Sequence, residues 1–257
     1  MSFLTALRFL TIFRIPGGRT ETAEDMGRST VWFPVVGFII GAILALMNWV
    51  FSLFLPTAAT NALTIVLLVI ITGAMHLDGF ADTCDGLAGN KPAKERWKVM
   101  HDSRTGAFGV TGLILLLLVK FALLNSIPQE FIRPVLVVMP VIGRWTMVYA
   151  LAMYPYARNE GLGRAFKDGV TRTRLAIATL ITLGISIFLA WWAGLDYYYI
   201  VAIGITGMTW ILIVAASEYF RRKFDGLTGD TYGAINELAE IGILLIASIA
   251  CFNEWIV

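Results

Sequence analysis

The sequence is poor in charged residues and in cysteine. Only 15% of its 257 residues are charged, whereas 58% are hydrophobic; a soluble domain carries about a quarter charged residues. This composition favours the bilayer as the solvent for most of the chain. The formal net charge of only +2 gives no sign of nucleic-acid binding. Cys84 and Cys251 lie far apart in different settings, so no disulfide framework is expected.

The N-terminus also lacks the features of a signal peptide. Residues 1–16 contain no long uninterrupted apolar core and no small-residue cleavage site. Phe3, Leu7 and Leu10 share one helical face, and Arg8 lies nearby. This pattern predicts a short amphipathic helix that lies at the membrane surface.

Seven segments are apolar enough to be membrane spans, each of which needs about 20 mostly apolar residues. Hydropathy places them at Val31–Leu55, Ala62–Met75, Phe108–Leu124, Val135–Met153, Leu175–Gly194, Tyr198–Ala216 and Leu238–Ile256. The second is short, and we expect its helix to continue beyond Met75. The sequence therefore predicts an all-α, polytopic transmembrane helical bundle that forms one integral membrane domain over residues 1–257.

Charged residues collect on one side of the predicted bundle. Of the 20 lysines and arginines, 17 lie in the stretches 1–30, 76–106, 154–174 and 217–237. The positive-inside rule makes this side cytoplasmic. With seven spans, the N-terminus is then inside and the C-terminus outside. Fifteen of the 18 acidic residues lie in or beside the same stretches, so we expect this face to carry the function.

The segment HLDGFADTCDGL, residues 76–87, carries the strongest chemical pattern. Asp78, Asp82 and Asp85 are spaced i, i+4 and i+7, so they share one stripe of a helix. Three like charges on one stripe repel one another unless a cation lies there. Carboxylates at this spacing suit Mg²⁺ or Mn²⁺, which also binds water and substrate phosphates. The alternative is a solvated acidic helix end, but carboxylates joined directly to a span are usually functional.

Two arginine-containing segments on the same side are candidate phosphate sites. In HDSRTGAFG, residues 101–109, Arg104 offers a planar donor fork, and Gly106 lies at the predicted N-terminus of a span, which favours anions. An ordinary capped helix start is the alternative. Asp102 is a metal ligand, a base or the partner of Arg104. Arg158 follows the fourth span and is suited to gripping a nucleotide or phosphate, although arginines there also set topology.

Polar residues in and before two other spans extend the candidate site. Arg144 lies about half-way along the fourth span, where it should pair with a carboxylate or face a polar cavity. Before the last span, Asp230 and Glu237 are spaced i, i+7, and Glu240 follows Glu237 by one turn. Such a second carboxylate group would complete a two-metal site. Asn236 in the same segment is a candidate substrate contact.

Three further residues have less specific assignments. His76 is a ligand, a base or a hydrogen-bonding structural group at a helix end. Glu21 and Arg28 lie just before the first span and are candidate contributors to the same site.

These motifs resemble those of the cobalamin synthase family, the adenosylcobinamide-GDP ribazoletransferases. The resemblance rests on RSTVWFPVVG at 28–37, HLDGFADTCDGL at 76–87, HDSRTGAFG at 101–109, GRW at 143–145, PYAR followed by GLG at 155–163, and TGDTYGAINELAE at 228–240. The motifs cover most of the chain in family order, and length and span number also agree. Cys84 stands where the family would lead us to expect a small residue.

The resemblance implies a Mg²⁺-dependent transferase of the last steps of cobalamin biosynthesis. Such an enzyme joins adenosylcobinamide-GDP to α-ribazole, or to its 5′-phosphate, and releases GMP. Mg²⁺ is the implied cofactor, membrane lipid surrounds the protein, no nucleic acid takes part, and a homo-oligomer is left open. The implied location is the cytoplasmic (inner) membrane of a bacterium or archaeon, with the active site facing the cytoplasm.

The resemblance and the residue chemistry together suggest three groups of site residues. Catalytic roles are predicted for Asp82, Asp102 and Arg104, with Asp82 or Asp102 as the base. Substrate or phosphate binding is predicted for His76, Arg28, Arg104, Gly106, Arg144, Arg158 and Asn236. Metal binding is predicted for Asp78, Asp82, Asp85, Asp230, Glu237 and Glu240.

Two other functions match part of the pattern. A CDP-alcohol phosphotransferase also uses an Asp-Gly start at a membrane, as in Asp78-Gly79, but here Ala81 is followed by Asp82 and not by arginine. A cation-coupled transporter would use the carboxylates as ion sites. Transporters usually place such sites near the bilayer midplane, whereas these carboxylates crowd one edge.

Overall fold

The regular secondary structure in the described part of the chain is helical. The computed structural model describes residues 2–13, 22–102, 104–158 and 161–253, with the backbone alone for Leu162. The helices are α1 (Ser2–Leu10), α2 (Ala23–Ser29), α3 (Phe33–Ser52), α4 (Thr57–Thr72), α5 (Met75–Leu87), α6 (Ala93–Met100), α7 (Ala107–Ser126), α8 (Gln129–Met153), α9 (Leu162–Gly169), α10 (Arg172–Trp192), α11 (Tyr198–Phe224) and α12 (Gly229–Phe252). A 3₁₀ turn, Thr30–Trp32, joins α2 to α3.

Six helical segments of the described residues are long and apolar enough to cross a membrane. They are the continuous stretch Ala23–Ser52 and the helices α7, α8, α10, α11 and α12. A seventh crossing results if α4 and α5 are counted as one broken span. The predicted all-α, polytopic bundle is therefore confirmed, and the side on which each terminus lies stays a prediction.

Helix follows beyond Met75, as predicted, but it is the separate helix α5 and not an unbroken continuation of α4. Gly73 and Ala74 both adopt the left-handed conformation, with φ of 61° and 57°, and α5 leaves α4 at an angle of 90°. Their N–H groups bond back to carbonyls of α4 at 3.0 Å, which closes that helix. The acidic motif therefore lies on a separate helix that is turned across the end of α4.

One other predicted boundary also changes. The last helix begins at Gly229 and not at Leu238, so the segment that carries Asp230 is part of a long membrane helix. The predicted N-terminal helix is confirmed as α1. Its residues Leu7 and Leu10 are buried against the bundle. Other helices of the protein therefore cover the apolar face that was predicted to lie in the membrane surface.

Helix α8 lies at the centre of the bundle, and between Val135 and Leu151 every residue except Tyr149 is buried. Helix α3 crosses it closely through Gly37 and Gly41. A β-carbon on Gly37 would lie 2.4 Å from the carbonyl oxygen of Pro140, and one on Gly41 would lie 2.5 Å from the Cα of Val137. Small residues four positions apart allow such close approach of two membrane helices. This contact fixes the core against which the polar helices pack.

We expect Gly41→Ala to destabilise the protein by about 1–3 kcal/mol, because the added methyl group meets backbone that cannot move aside. The matched control is Gly184→Ala on α10, where nothing lies within 4 Å of the added carbon. That variant should leave stability unchanged or slightly raised. SDS-induced unfolding in mixed micelles measures both, and equal stability of the two variants would contradict the close α3–α8 contact.

Candidate functional site

The N-terminal halves of α5 and α12 cross at two glycines. A β-carbon on Gly79 would lie 2.7 Å from the carbonyl oxygen of Asp230, and one on Gly233 would lie 3.1 Å from that of His76. Larger residues at either position would push the helices apart. The crossing places the aspartates of α5 beside Asp230, so carboxylates from two distant parts of the sequence meet at one point.

Asp78 and Asp82 are the carboxylates of this crossing that have no cation partner. Asp78 is exposed and Asp82 is half-buried. Neither makes a hydrogen bond or an ion pair within the described ranges. The charges of Asp78, Asp85 and Asp230 all lie close enough to Asp82 to repel it. Such repulsion leaves a local demand for positive charge.

Asp85 is engaged by the start of α7. Its two carboxylate oxygens accept hydrogen bonds from the N–H groups of Gly106 at 2.7 Å and Gly109 at 2.8 Å. A β-carbon on Gly106 would lie within 2.4 Å of this carboxylate, so the close contact requires glycine. Asp85 therefore caps α7 and ties it to α5. Gly106 was predicted to bind phosphate, but its N–H group is already donated to Asp85.

Arg158 lies beside Asp230 because two loops pair with each other. Tyr156 and Leu227 form an isolated parallel bridge, which aligns the residues that follow each of them. The Arg158 guanidinium is 3.3 Å from the Asp230 carboxylate, and it also donates to the imidazole of His101. The predicted phosphate ligand Arg158 thus reaches the same point as the carboxylates of α5 and α12.

Asp102 and Arg104 pair with each other on the exposed loop before α7. The guanidinium donates to Asp102 at 2.9 and 3.1 Å. Of the three roles predicted for Asp102, the structure places it in that of partner to Arg104. The hydrogen bonds from Arg104 lower the pKa of Asp102 to about 2, so Asp102 is a weak base.

Four charged residues form a buried ion-pair cluster, defined here as Lys120 on α7, Arg144 on α8, and Glu237 and Glu240 on α12. The Lys120 ammonium lies 2.6 Å from Glu237 and 2.5 Å from Glu240. Arg144 pairs with Glu240 and donates to Asn236 at 3.1 Å. Two cations and two carboxylates balance, which suits a site where all four side chains are almost fully buried.

The ion-pair cluster confirms the prediction that Arg144 pairs with a carboxylate. For the glutamates and for Asn236, however, the observed partners differ from the predicted ones. Glu237 and Glu240 face lysine and arginine where the sequence suggested a second metal ion. Arg144 and Asn236 bond to this cluster and are fully buried, so neither offers an open phosphate contact. Burial in a low-dielectric interior explains the change, because each charge there needs an opposite charge at hand.

The remaining predicted residues divide between the site and the surface. His76 is buried next to the crossing, and neither ring nitrogen has a partner among the described residues. Arg28 is exposed on α2, where it pairs with Glu24 at 2.5 Å. Glu21 lies outside the described residues.

One structural residue of the site was missed. Arg96 on α6 is buried and donates to three backbone carbonyls at the end of α5 and just after it, at 2.8 to 3.0 Å. It holds the C-terminal end of the helix that carries the aspartates. In the sequence Arg96 looks like one more basic residue of a cytoplasmic loop. The one sequence signal for its role is that it follows closely after the aspartate-bearing segment.

The donors at the crossing of α5 and α12 decide whether the site suits a divalent metal ion. No three His, Cys, Asp or Glu side chains within 2–13, 22–102, 104–158 and 161–253 form a ready-made metal cage. Mg²⁺ does not require one, since it is commonly bound by one or two carboxylates together with substrate phosphates. Asp78 and Asp82, with Asp230 beside them, have the right donor chemistry. The residues present therefore fit Mg²⁺ held jointly with a phosphate-bearing ligand.

Comparison with known proteins gives a consistent result. The model of a family described as cobalamin-5-phosphate synthase matches residues 2–248. Similar proteins named adenosylcobinamide-GDP ribazoletransferase come from Geotalea daltonii, 35% identical over 95% of both chains, and from Syntrophobacter fumaroxidans, 36% identical over 97% of this chain and 98% of the relative. No solved structure matches the chain.

Lys120→Met should destabilise the protein by roughly 3–5 kcal/mol, because it leaves a carboxylate buried without compensation. The double variant Lys120→Met with Glu237→Gln restores charge balance and should recover part of the loss. SDS-induced unfolding in mixed micelles measures both. Arg222→Met, which breaks an exposed pair with Glu218, is the control and should change little. A single Lys120 variant as stable as this control would contradict the role given to the cluster.

Proposed function

The chain belongs to the cobalamin-5-phosphate synthase family, and we propose that it joins adenosylcobinamide-GDP to α-ribazole, or to α-ribazole 5′-phosphate, with release of GMP. The observation that carries this proposal is the meeting of Asp78, Asp82, Asp230 and Arg158 where α5 crosses α12. Unpaired carboxylates next to a guanidinium suit the transfer of a phosphate-bearing group, where charge neutralisation and positioning supply most of the catalysis.

The reaction forms one phosphorus–oxygen bond and breaks another. The 3′-hydroxyl oxygen of the ribazole, which is free in α-ribazole and in its 5′-phosphate, attacks the phosphorus nearer the cobinamide, and the bond from that phosphorus to the bridging oxygen breaks. GMP leaves with the bridging oxygen. The proton of the attacking hydroxyl passes to a carboxylate base.

Asp82 is the base in this proposal. Its carboxylate lies within electrostatic reach of Asp78, Asp230 and Arg158, and it makes no hydrogen bond or ion pair among the described residues. A base must hold a free oxygen within reach of the proton that it takes. Asp102 does not meet this condition, because Arg104 occupies its carboxylate.

Arg158 and a Mg²⁺ ion held by the carboxylates would together neutralise the negative charge of the pyrophosphate. Arg158 has donors beyond those it gives to Asp230 and His101, and its planar fork suits a phosphate of the GMP leaving group. Asp78 and Asp230 would hold Mg²⁺, which when bound neutralises charge on the pyrophosphate oxygens. Asp82 then keeps a free oxygen for the proton.

The same proposal places the protein in the cytoplasmic membrane of a bacterium or archaeon. The concentration of lysine and arginine in four stretches supports a cytoplasmic location for the carboxylate crossing. Its water-soluble substrates are then available on the side where the site opens.

The protein purified in detergent should convert adenosylcobinamide-GDP and α-ribazole to a complete corrinoid and GMP. Omitting Mg²⁺, or adding EDTA, should abolish formation of both products, which chromatography measures. Replacing adenosylcobinamide-GDP with a CDP-activated lipid is the control for the CDP-alcohol reaction and should give no product. No turnover by a monodisperse preparation, with a related enzyme active alongside, would contradict the proposal.

Asp82→Asn should lower turnover by about 10²–10⁴-fold, the usual contribution of a general base, because the amide cannot accept the proton. Asp102→Asn is the matched control and should retain most of the activity, since its carboxylate is already paired. Initial rates of GMP release measure both, and size-exclusion chromatography checks folding. The assignment is wrong if the two variants are equally active.

A further inference from the structure

A cavity of about 190 Å³ lies beside the carboxylate crossing and is formed by α1, α3, α5, α8, α9 and α12. Part of its wall is aromatic: the Phe9 and Phe166 rings lie 4.5 Å apart, and those of Phe33 and Phe166 lie 5.7 Å apart. Asp78 and Asp230 line another part. The cavity therefore joins an aromatic compartment to the site where we place the reacting groups.

Two buried polar side chains of the cavity wall have no protein partner. His76 is 2% exposed and Tyr232 is 3% exposed. Neither ring nitrogen of His76, nor the hydroxyl of Tyr232, has a hydrogen-bond partner among the described residues. Buried polar groups are seldom left unpaired, since each costs about 1–3 kcal/mol. Both groups line the same cavity, so a single ligand there can satisfy both.

The size of the cavity selects among the parts of the proposed substrates. Drug-sized ligands occupy pockets of roughly 300–1,000 Å³, so about 190 Å³ has room for a fused two-ring base but excludes a corrin macrocycle. Two fused-ring bases take part in the proposed reaction, the benzimidazole of the ribazole and the guanine of the GDP group.

The polarity of the wall distinguishes these two bases. Guanine presents several donors and acceptors around its edge, and each would need a partner. The wall near the aromatic rings is otherwise apolar, with Met75, Met147 and Leu151. A benzimidazole nucleoside has one unsubstituted ring nitrogen, which a neutral imidazole is able to satisfy by donating one hydrogen bond.

Resting on the proposed function, we propose that this cavity binds the base of α-ribazole. The base lies against Phe9, Phe33 and Phe166, and its unsubstituted nitrogen accepts a hydrogen bond from His76. The Tyr232 hydroxyl is then available to a ribose oxygen. With the base held there, the ribose extends toward Asp78 and Asp230, which line the same cavity, so its 3′-hydroxyl reaches the carboxylates.

Equilibrium dialysis of the full-length protein against α-ribazole tests the cavity without turnover. His76→Ala and Phe166→Ala should each weaken α-ribazole binding by roughly tenfold, the loss expected for one hydrogen bond or one stacked ring. Phe188→Ala removes an exposed ring on α10 and is the control. The same two cavity variants should raise KM for α-ribazole while leaving KM for adenosylcobinamide-GDP unchanged.

A ligand analogue makes the test independent of variant folding. Replacing the unsubstituted nitrogen of α-ribazole by C–H should weaken binding to the unaltered protein by roughly tenfold, and should make no difference to His76→Ala, because the two changes remove the same bond. Equal binding of the analogue and α-ribazole to the unaltered protein would overturn the assignment of His76.

GMP supplies the competing occupant. Displacement of α-ribazole by GMP, or a raised KM for adenosylcobinamide-GDP alone in the cavity variants, would assign the cavity to guanine and overturn the inference. The reaction itself would then stand. Conversely, α-ribazole binding that depends on His76 and Phe166, without product formation in the turnover assay, would support this cavity assignment and contradict the proposed function.

Discussion

The ion-pair cluster of Lys120, Arg144, Glu237 and Glu240 is the interaction on which the arrangement of the bundle depends. In a membrane no water is available to solvate a buried charge. Each charged side chain of the cluster must therefore stay next to a partner of opposite charge. Separating α7, α8 and α12 would leave at least one of these charges buried without a partner. Positive and negative charges alternate in the cluster. Lys120 contacts both glutamates, and Glu240 contacts both cations.

The cluster and the carboxylate crossing share α12. Asp230 lies at the start of that helix, and Glu237 lies two turns further along, so fixing Glu237 and Glu240 also fixes the direction in which Asp230 is presented. Glycines complete the arrangement, because Gly79 and Gly233 let α5 lie directly against α12. Binding chemistry at the edge of the bundle thus rests on charge pairing inside it.

Hydropathy and the cost of buried charge predicted the helical bundle, the polar face and the pairing of Arg144, since these depend on local composition. Asp230 and Glu237 do lie on one helix, α12, as their spacing predicted. Seven residues, however, extend about 10 Å along a helix. That distance separates Asp230, which lines the cavity, from Glu237 in the ion-pair cluster. The sequence does not reveal which residues of other helices lie opposite, so Lys120 and the Asp85 cap of α7 were not predicted as partners.

Because of the sharp turn at Gly73 and Ala74, the rotation of α5 about its own axis does not depend on that of α4. If α4 and α5 were one continuous helix, each residue inserted into α4 would rotate every aspartate of α5 about the helix axis by about 100°. Here the orientation of α5 is instead set by α12, α7 and Arg96. The length of the membrane-embedded segment is thereby free to follow bilayer thickness while the carboxylates keep their direction.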